Sequence, residues 1–153
     1  MSNTTDKQRP QSEKSPSLLK KGIAVEQLRK MIASSPFASI LKTAVGDCAE
    51  GYAEIHLPIT EATKQHSGVV NGAVIGFIAD TACCIAAGTK FGNVLTQEYK
   101  VNFIAPAFGH ELVAKGSVIG STFSQVVARA DVYSRREGKD YLVATALATL
   151  FVV

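Results

Sequence analysis

The sequence predicts an α+β protein in which one long apolar helix packs on an antiparallel sheet of roughly six strands. Two features point to it. The stretch VVNGAVIGFIADTACCIAAG is apolar all round except at Asn71, Asp80 and Thr81, so a helix made from it must be enclosed on most sides. Strand-like segments with short connections flank it, two before and four after, which is the pattern of antiparallel pairing. At 153 residues the chain has room for a single core.

Residues 1–20 are rich in Ser, Thr, Gln, Lys and Pro without apolar periodicity and read as a disordered polar tail; the folded domain is expected over 21–153. Val25, Leu28, Met31 and Ile32 recur at helical spacing, and Pro36 stops that run. Residues 40–57 read as two strands, with Gly46, Asp47, Glu50 and Gly51 supplying the turn between them. In the second strand Tyr52, Glu54 and His56 alternate with Ala53, Ile55 and Leu57, the period of a half-buried strand, and Pro58 ends it. A polar loop over 59–68 leads into the apolar helix, for which Gly88 is the expected C-terminal cap. Four strands follow at 93–104, 111–119, 124–134 and 141–153, punctuated by Gly109, Gly120 and residues 136–139, and consecutive strands are expected to pair as a meander. The last strand, LVATALATLFVV, is apolar on both faces and belongs centrally in the sheet or at a subunit interface.

The net charge of +3 is unevenly spread. Residues 1–30 carry seven basic and three acidic groups, +4, and residues 31–153 carry nine and ten, −1. A nearly neutral folded part argues against a nucleic-acid-binding face. The three cysteines, Cys48, Cys83 and Cys84, form no disulfide framework and no zinc spacing with histidine. Free thiols fit a reducing compartment, so a cytoplasmic location is expected. The N-terminus has no apolar core of a secretory signal, and a carboxylate at the middle of the apolar helix argues against a membrane span. Neither a metal nor a cofactor is expected.

Asp80 is the most informative residue for chemistry. A carboxylate in an apolar helix is costly unless it is paired or hydrogen-bonded, and such positions often mark functional sites. The structural alternative is an Asp bound to a backbone amide or to an Arg from a strand. Asn71–Gly72–Ala73 stands where the polar loop becomes the helix. The free amides of a first turn can receive an oxyanion or a carbonyl oxygen, and Gly72 leaves the approach open. The structural alternative there is an Asn71 N-cap with glycines for close packing. Asn71 and Asp80 lie nine residues apart, roughly 13 Å along a helix, so one chain cannot grip one small reacting group with both. A site using both must be shared between two subunits.

The other candidates are weaker. His66 is a loop histidine beside Gln65; His56 lies on the polar face of a strand and His110 in a turn, neither with a partner at triad spacing. No G-x-S-x-G elbow occurs. Cys83 and Cys84 follow Asp80 on the apolar helix and read as core packing, with thiol pKa values raised by the adjacent carboxylate. Lys100, Arg129, Arg135 and Arg136 are the basic candidates for meeting phosphates, and Phe77, Ile78, Phe103 and Phe108 are large apolar candidates for a pocket wall.

The stretch QHSGVVNGAVIGFIAD resembles the signature of the hotdog-fold acyl-CoA thioesterases of the PaaI type. That signature is a polar residue, a loop Gly, His-Gly-Gly, and an apolar helix with Asp nine residues after the His. Gln65, Gly68, Asn71–Gly72–Ala73 and Asp80 stand in those places with the spacing kept. VLTQEYKVNFIAPAFGHELVAKGSVIG downstream, and Pro36–Phe37 and GYAEIHLP upstream, are similar to the family as well, so the resemblance covers residues 25–153. It implies a hotdog fold, one helix wrapped by a six-stranded antiparallel sheet, in homodimers with two interface sites, often paired into homotetramers. It implies acyl-CoA or aryl-CoA as substrate, with Asp80 as nucleophile or as the base that activates water. The Gly72 amide of the other subunit would polarise the thioester carbonyl. Gln65 would stand near the thioester or the water, and Thr96 would help orient that water. Asn71, Ala73, Gly68 and His66 are the expected substrate-binding positions. The chain departs from the signature at two places, Asn71 for His and Ala73 for the second Gly. The rival expectation is a non-catalytic hotdog protein that binds acyl-CoA or a similar apolar ligand.

Overall fold

A computed structural model describes residues 21–153, and the tail expected over 1–20 lies outside the described residues. The elements run α1 (Val25–Ser34), α2 (Pro36–Ile40), β1 (Ala44–Ala49), β2 (Tyr52–Pro58), a 3-10 turn (Glu61–Thr63), α3 (Gly72–Phe91), β3 (Val94–Phe103), β4 (Glu111–Ser121), β5 (Gln125–Arg136) and β6 (Lys139–Val152). The six strands make one antiparallel sheet in the order β1-β2-β4-β5-β6-β3. This is the α+β architecture expected, with α3 laid against one face of the sheet.

Several local expectations are corrected. Pro36 ends α1 and also starts α2, because its fixed φ suits a first helical position and Ser35 stays extended before it. Gly46 and Asp47 fall inside β1 at a register shift between Val45 and Cys48, so Glu50 and Gly51 alone make the turn, with Gly51 at φ 75°. The long helix begins at Gly72 and ends at Phe91, where Gly92, at φ 84°, caps it. Gly88 lies inside that helix, and a Cβ there would stand 3.2 Å from Leu28 Cδ2, so this glycine admits α1. Gly120 marks a bulge in β4 rather than a turn. The β4–β5 turn is closed by the Thr122 amide donating to Gln125 O at 2.7 Å.

The meander holds for β4, β5 and β6 and fails for β3, which crosses to the far edge and pairs with β6. That pairing gives β6 a neighbour on each edge, with one face buried on the core and the other left partly exposed at Leu147 and Phe151. Its central place is one of the two positions the sequence allowed. Hairpin β5–β6 turns at Glu137 (φ 51°) and Gly138 (φ 73°), a two-residue turn whose twist matches the strands.

The core is built from small residues. Ile75, Ile78, Ala79, Ala82, Cys83 and Ala86 of α3 pack on Ile55, Ala114, Ala128, Ala130 and Leu150 of the sheet. A Cβ on Gly116 would stand 2.3 Å from the Ala82 carbonyl oxygen, so only glycine lets β4 cross the helix there. The helix is long and apolar enough to cross a membrane, and most of it is buried by the sheet, as in a core helix. On the other face of the sheet, Arg135 binds Asp140 through two hydrogen bonds of 2.7 and 3.0 Å and Glu111 at 2.9 Å.

Candidate active site

Gly72, Gly76, Asp80 and Cys84 recur every four residues and so share one face of α3. Strand β3 runs along that face in the reverse sense. A Cβ on Gly72 would lie 3.2 Å from Phe103 Cζ, and one on Gly76 would lie 3.2 Å from Tyr99 Oη. Next along, the Thr96 hydroxyl donates to Asp80 Oδ1 at 2.7 Å and lies 3.2 Å from Cys84 Sγ. The two glycines thus open the helix surface to two aromatic side chains. Thr96 and Tyr99 are three residues apart and would ordinarily point to opposite faces. The register shift between Thr96 and Glu98 reverses the alternation and brings both onto the helix.

Asp80 is half-buried, and among the described residues no cation or backbone amide pairs with it. Burial raises its carboxyl pKa above the usual carboxylate range, and the hydrogen bond from Thr96 opposes that rise. The structural alternative, a capping or Arg-paired Asp, is therefore not what the fold builds. Cys83 is buried, its thiol pushed up to about 12 by burial, the Cys84 thiol and the Asp80 carboxylate. Cys84 is pushed up to about 11 by burial and Asp80. Cys83 is core packing as expected; Cys84 instead touches the candidate site.

The start of α3 is pinned from both sides. The Val70 amide donates to Ala107 O at 3.1 Å and the Asn71 amide to Thr63 O at 2.9 Å. Thr63 is itself held by a capping box with Thr60. Residues 65–69 form a tight turn, with the Gln65 amide on Val69 O and the Gly68 amide on Gln65 O, both 2.9 Å, and Gly68 at φ 81°. The Asn71 side chain accepts from the Ala73 amide at 2.9 Å, which caps the helix. The Gly72 amide has no acceptor among the described residues and is the free donor of the first turn.

A cleft of about 370 Å³ opens at this end, lined by Gln65, Val69, Gly72, Ile75, Phe103 and Pro106 among others. The fold therefore brings Gln65 to Gly72, and separately Thr96 to Asp80. It leaves the two pairs about 12 Å apart along the helix. His66 and Ala73 are exposed and outside the cleft, and Gly68 serves the turn. Of the apolar candidates only Phe103 lines the cleft. Ile78 is fully buried, Phe77 packs edge-on against Phe37 at 4.8 Å, and Phe108 is exposed outside it. Of the basic candidates, Arg135 and Arg129 are held by acidic neighbours and Arg136 lies over Tyr141, while Lys100 is exposed with no ion pair among the described residues. No group of three metal-ligating side chains occurs among the described residues. Tyr99 and Cys84 are the site neighbours that sequence reasoning missed. The four-residue recurrence of Gly72, Gly76, Asp80 and Cys84 is the signal that could have found Cys84; Tyr99 reaches the helix only through the register shift in β3, which the sequence does not signal.

Residues 67–140 match the model of the thioesterase superfamily. No curated protein matches the sequence. Among solved structures, a thioesterase family protein from Silicibacter pomeroyi is 29% identical, with a TM-score of 0.79 over 82% of this chain and 95% of that one. A Haemophilus influenzae thioesterase is 24% identical (TM-score 0.75, covering 89% and 94%). The E. coli PaaI protein of the phenylacetic acid degradation operon is 17% identical (TM-score 0.75, covering 84% and 91%). The last two show the shared fold. The matched stretch contains Gly72, Asp80 and Thr96 and runs from the start of α3 through β3, β4 and β5; the chain has the hotdog fold and over these residues is similar to the thioesterase superfamily, in keeping with a thioester hydrolase.

Proposed function

We propose that the protein hydrolyses acyl-CoA or aryl-CoA thioesters to the free acid and CoA. The observation that carries this reading is the Asp80–Thr96 pair, a half-buried carboxylate held, among the described residues, only by a hydroxyl. A carboxylate whose basicity is raised by burial is suited to take a proton from water as it attacks a carbonyl carbon. Thr96 orients that carboxylate, and Gln65 lies at the helix start to meet the thioester or the water. The free Gly72 amide, at the positive end of α3, is suited to stabilise the oxyanion that forms.

Gly72 and Asp80 of one chain stand about 12 Å apart, too far to act on one carbonyl carbon. The reading therefore requires a homodimer in which the start of one α3 approaches Asp80 of the other. What supports it is β3, an edge strand carrying the exposed side chains of Leu95, Tyr99 and Phe103. Pairing of such dimers into homotetramers, and a cytoplasmic location in keeping with three free thiols, belong to the same proposal. Asn71 spends its side chain on the cap, so the departure from the signature His removes no group that this mechanism uses.

The test is thiol release from short, medium, long and aromatic acyl-CoAs, with Asp80→Asn beside the wild type and blanks for spontaneous hydrolysis and the three cysteines. Turnover in the wild type that disappears in the variant is expected. Binding of acyl-CoA without turnover in the wild type would replace this reading with the non-catalytic one.

A further inference from the structure

The hydrogen bonding around Asp80 extends one residue past the pair used above. Cys84 sits one helical turn beyond Asp80, and its Sγ lies 3.2 Å from the same Thr96 Oγ1 that donates to Asp80 Oδ1 at 2.7 Å. Thr96 thus stands between a carboxylate and a thiol, with one hydrogen to give and lone pairs to accept. An ionised carboxylate can only accept, so the Thr96 hydrogen must lie on Asp80. The Sγ–Oγ1 contact must then be closed by the thiol hydrogen. We infer that Cys84 is a positioning residue of the candidate active site: its S–H donates to Thr96 Oγ1 and fixes the single Thr96 hydrogen on Asp80.

The thiol is fitted to this task. It stays protonated through the neutral range, because burial and the Asp80 carboxylate both disfavour the thiolate. A permanent donor on Thr96 polarises the hydroxyl and strengthens its bond to Asp80, as successive hydrogen bonds in a low-dielectric site reinforce one another. It also removes the hydroxyl's other rotational options, since a turn of the Thr96 hydrogen toward sulfur would leave two acceptor oxygens facing each other at 2.7 Å. Cys84 neither touches substrate nor exchanges protons in this scheme. Its effect reaches the reaction through Thr96, so this role rests on the hydrolase reading proposed above, whereas the direction of the hydrogen bond does not.

Two measurements separate those levels. The first is the S–H stretching band in the infrared spectrum of the full chain, with the Cys84 contribution assigned by difference from Cys84→Ala. It is expected at lower frequency than a free thiol, and Thr96→Val, of the same size without the acceptor, should return it to higher frequency. A Cys84 band indifferent to Thr96→Val overturns the inference whether or not the protein hydrolyses anything. The second is kcat/KM with the best acyl-CoA. Cys84→Val, similar in volume and lacking a donor, should lose about threefold in kcat with KM little changed. Cys84→Ser should recover most of that loss. Packing alone predicts the reverse order, valine tolerated and serine penalised, and that order overturns the positioning role while leaving the thioesterase reading intact. A wild type with no turnover overturns that reading, and the positioning role with it, and leaves the infrared band to decide the bond direction.

Discussion

Replacing Thr96 with valine tests how the carboxylate is held. Valine keeps the shape of threonine and removes one hydroxyl, so β3 stays seated on α3. What is lost is a 2.7 Å hydrogen bond to a charged acceptor in a half-buried place. Hydrogen bonds to charged groups contribute about 1.5–3 kcal/mol, and where that energy is what holds Asp80 in its reactive orientation its loss corresponds to roughly a 10- to 100-fold fall in kcat/KM. The sign of the accompanying pH effect follows from the same contact. Burial raises the Asp80 pKa and the Thr96 hydroxyl holds it down by favouring the charged form. Without the hydroxyl the carboxyl must hold its proton to higher pH, so the acid limb of the kcat/KM profile moves upward in pH. The assay is thiol release from the best acyl-CoA at a series of pH values for both proteins. A lower rate with the acid limb unmoved would refute the reasoning, because Thr96 would then act on substrate or water without tuning Asp80. An unchanged rate and an unchanged limb would remove the pair from the chemistry altogether.

Asp80 should also be visible in stability. Its folded-state pKa is raised, so between the unfolded and folded values the native chain binds more protons than the unfolded one, and stability falls as pH rises. Asp80→Asn should therefore melt a few degrees higher than the wild type at pH 8 and lose that advantage in acid, where Asp80 is neutral in both states; a lower melting temperature at pH 8 would restore the view of Asp80 as a structural anchor. The shared site has its own measurement. Gly72→Trp places a bulky ring where even a Cβ would stand 3.2 Å from Phe103. Mixed one to one with Asp80→Asn chains under subunit exchange, half of the dimers are mixed and each holds one intact site. About a quarter of wild-type activity should return, and none would return if each chain held a whole site.

Most of the fold was legible because hydrophobic period separates its parts. The all-round apolar helix and the alternation in Tyr52–Pro58 each admit one reading. The misreadings have physical causes. Glycine signals a helix end, a bulge or a close approach with the same letter. Gly88 and Gly120 stand where the local pattern predicts an end, whereas Leu28 packing and a β4 bulge require them. The crossing of β3 to β6 was not legible, since hydrophobic period tells which face of a strand is buried and not which strand lies beside it. Within the site, Asp80, Thr96, Gly72 and Gln65 carry the family pattern, and the fold pairs them as Thr96 with Asp80 and Gln65 with Gly72. His66 adjoins Gln65 in sequence, yet the Gln65–Val69 turn leaves it exposed and outside the cleft. The sequence marks Cys84 as packing because an adjacent pair of cysteines on an apolar helix looks uniform. Only the helical phase distinguishes Cys83, facing the core, from Cys84, facing Thr96.

The stripe on α3 explains why such a site would be tied to assembly. The helix is a rigid spacer, and its face presents a free amide at Gly72, an aromatic lid over Gly76 and a held carboxylate at Asp80. No side-chain motion can shorten the distance between a backbone amide and a carboxylate eight residues along the same helix. Two helices brought together in opposite senses, however, would place each amide beside the other's carboxylate, and a single contact would complete two sites at once. The edge position of β3 matters here, because the strand that holds Asp80 through Thr96 also carries the unpaired sheet edge and the exposed Leu95, Tyr99 and Phe103. On this reading, association would not merely stabilise the protein. It would seat the second half of the catalytic apparatus on the strand that already orients the first.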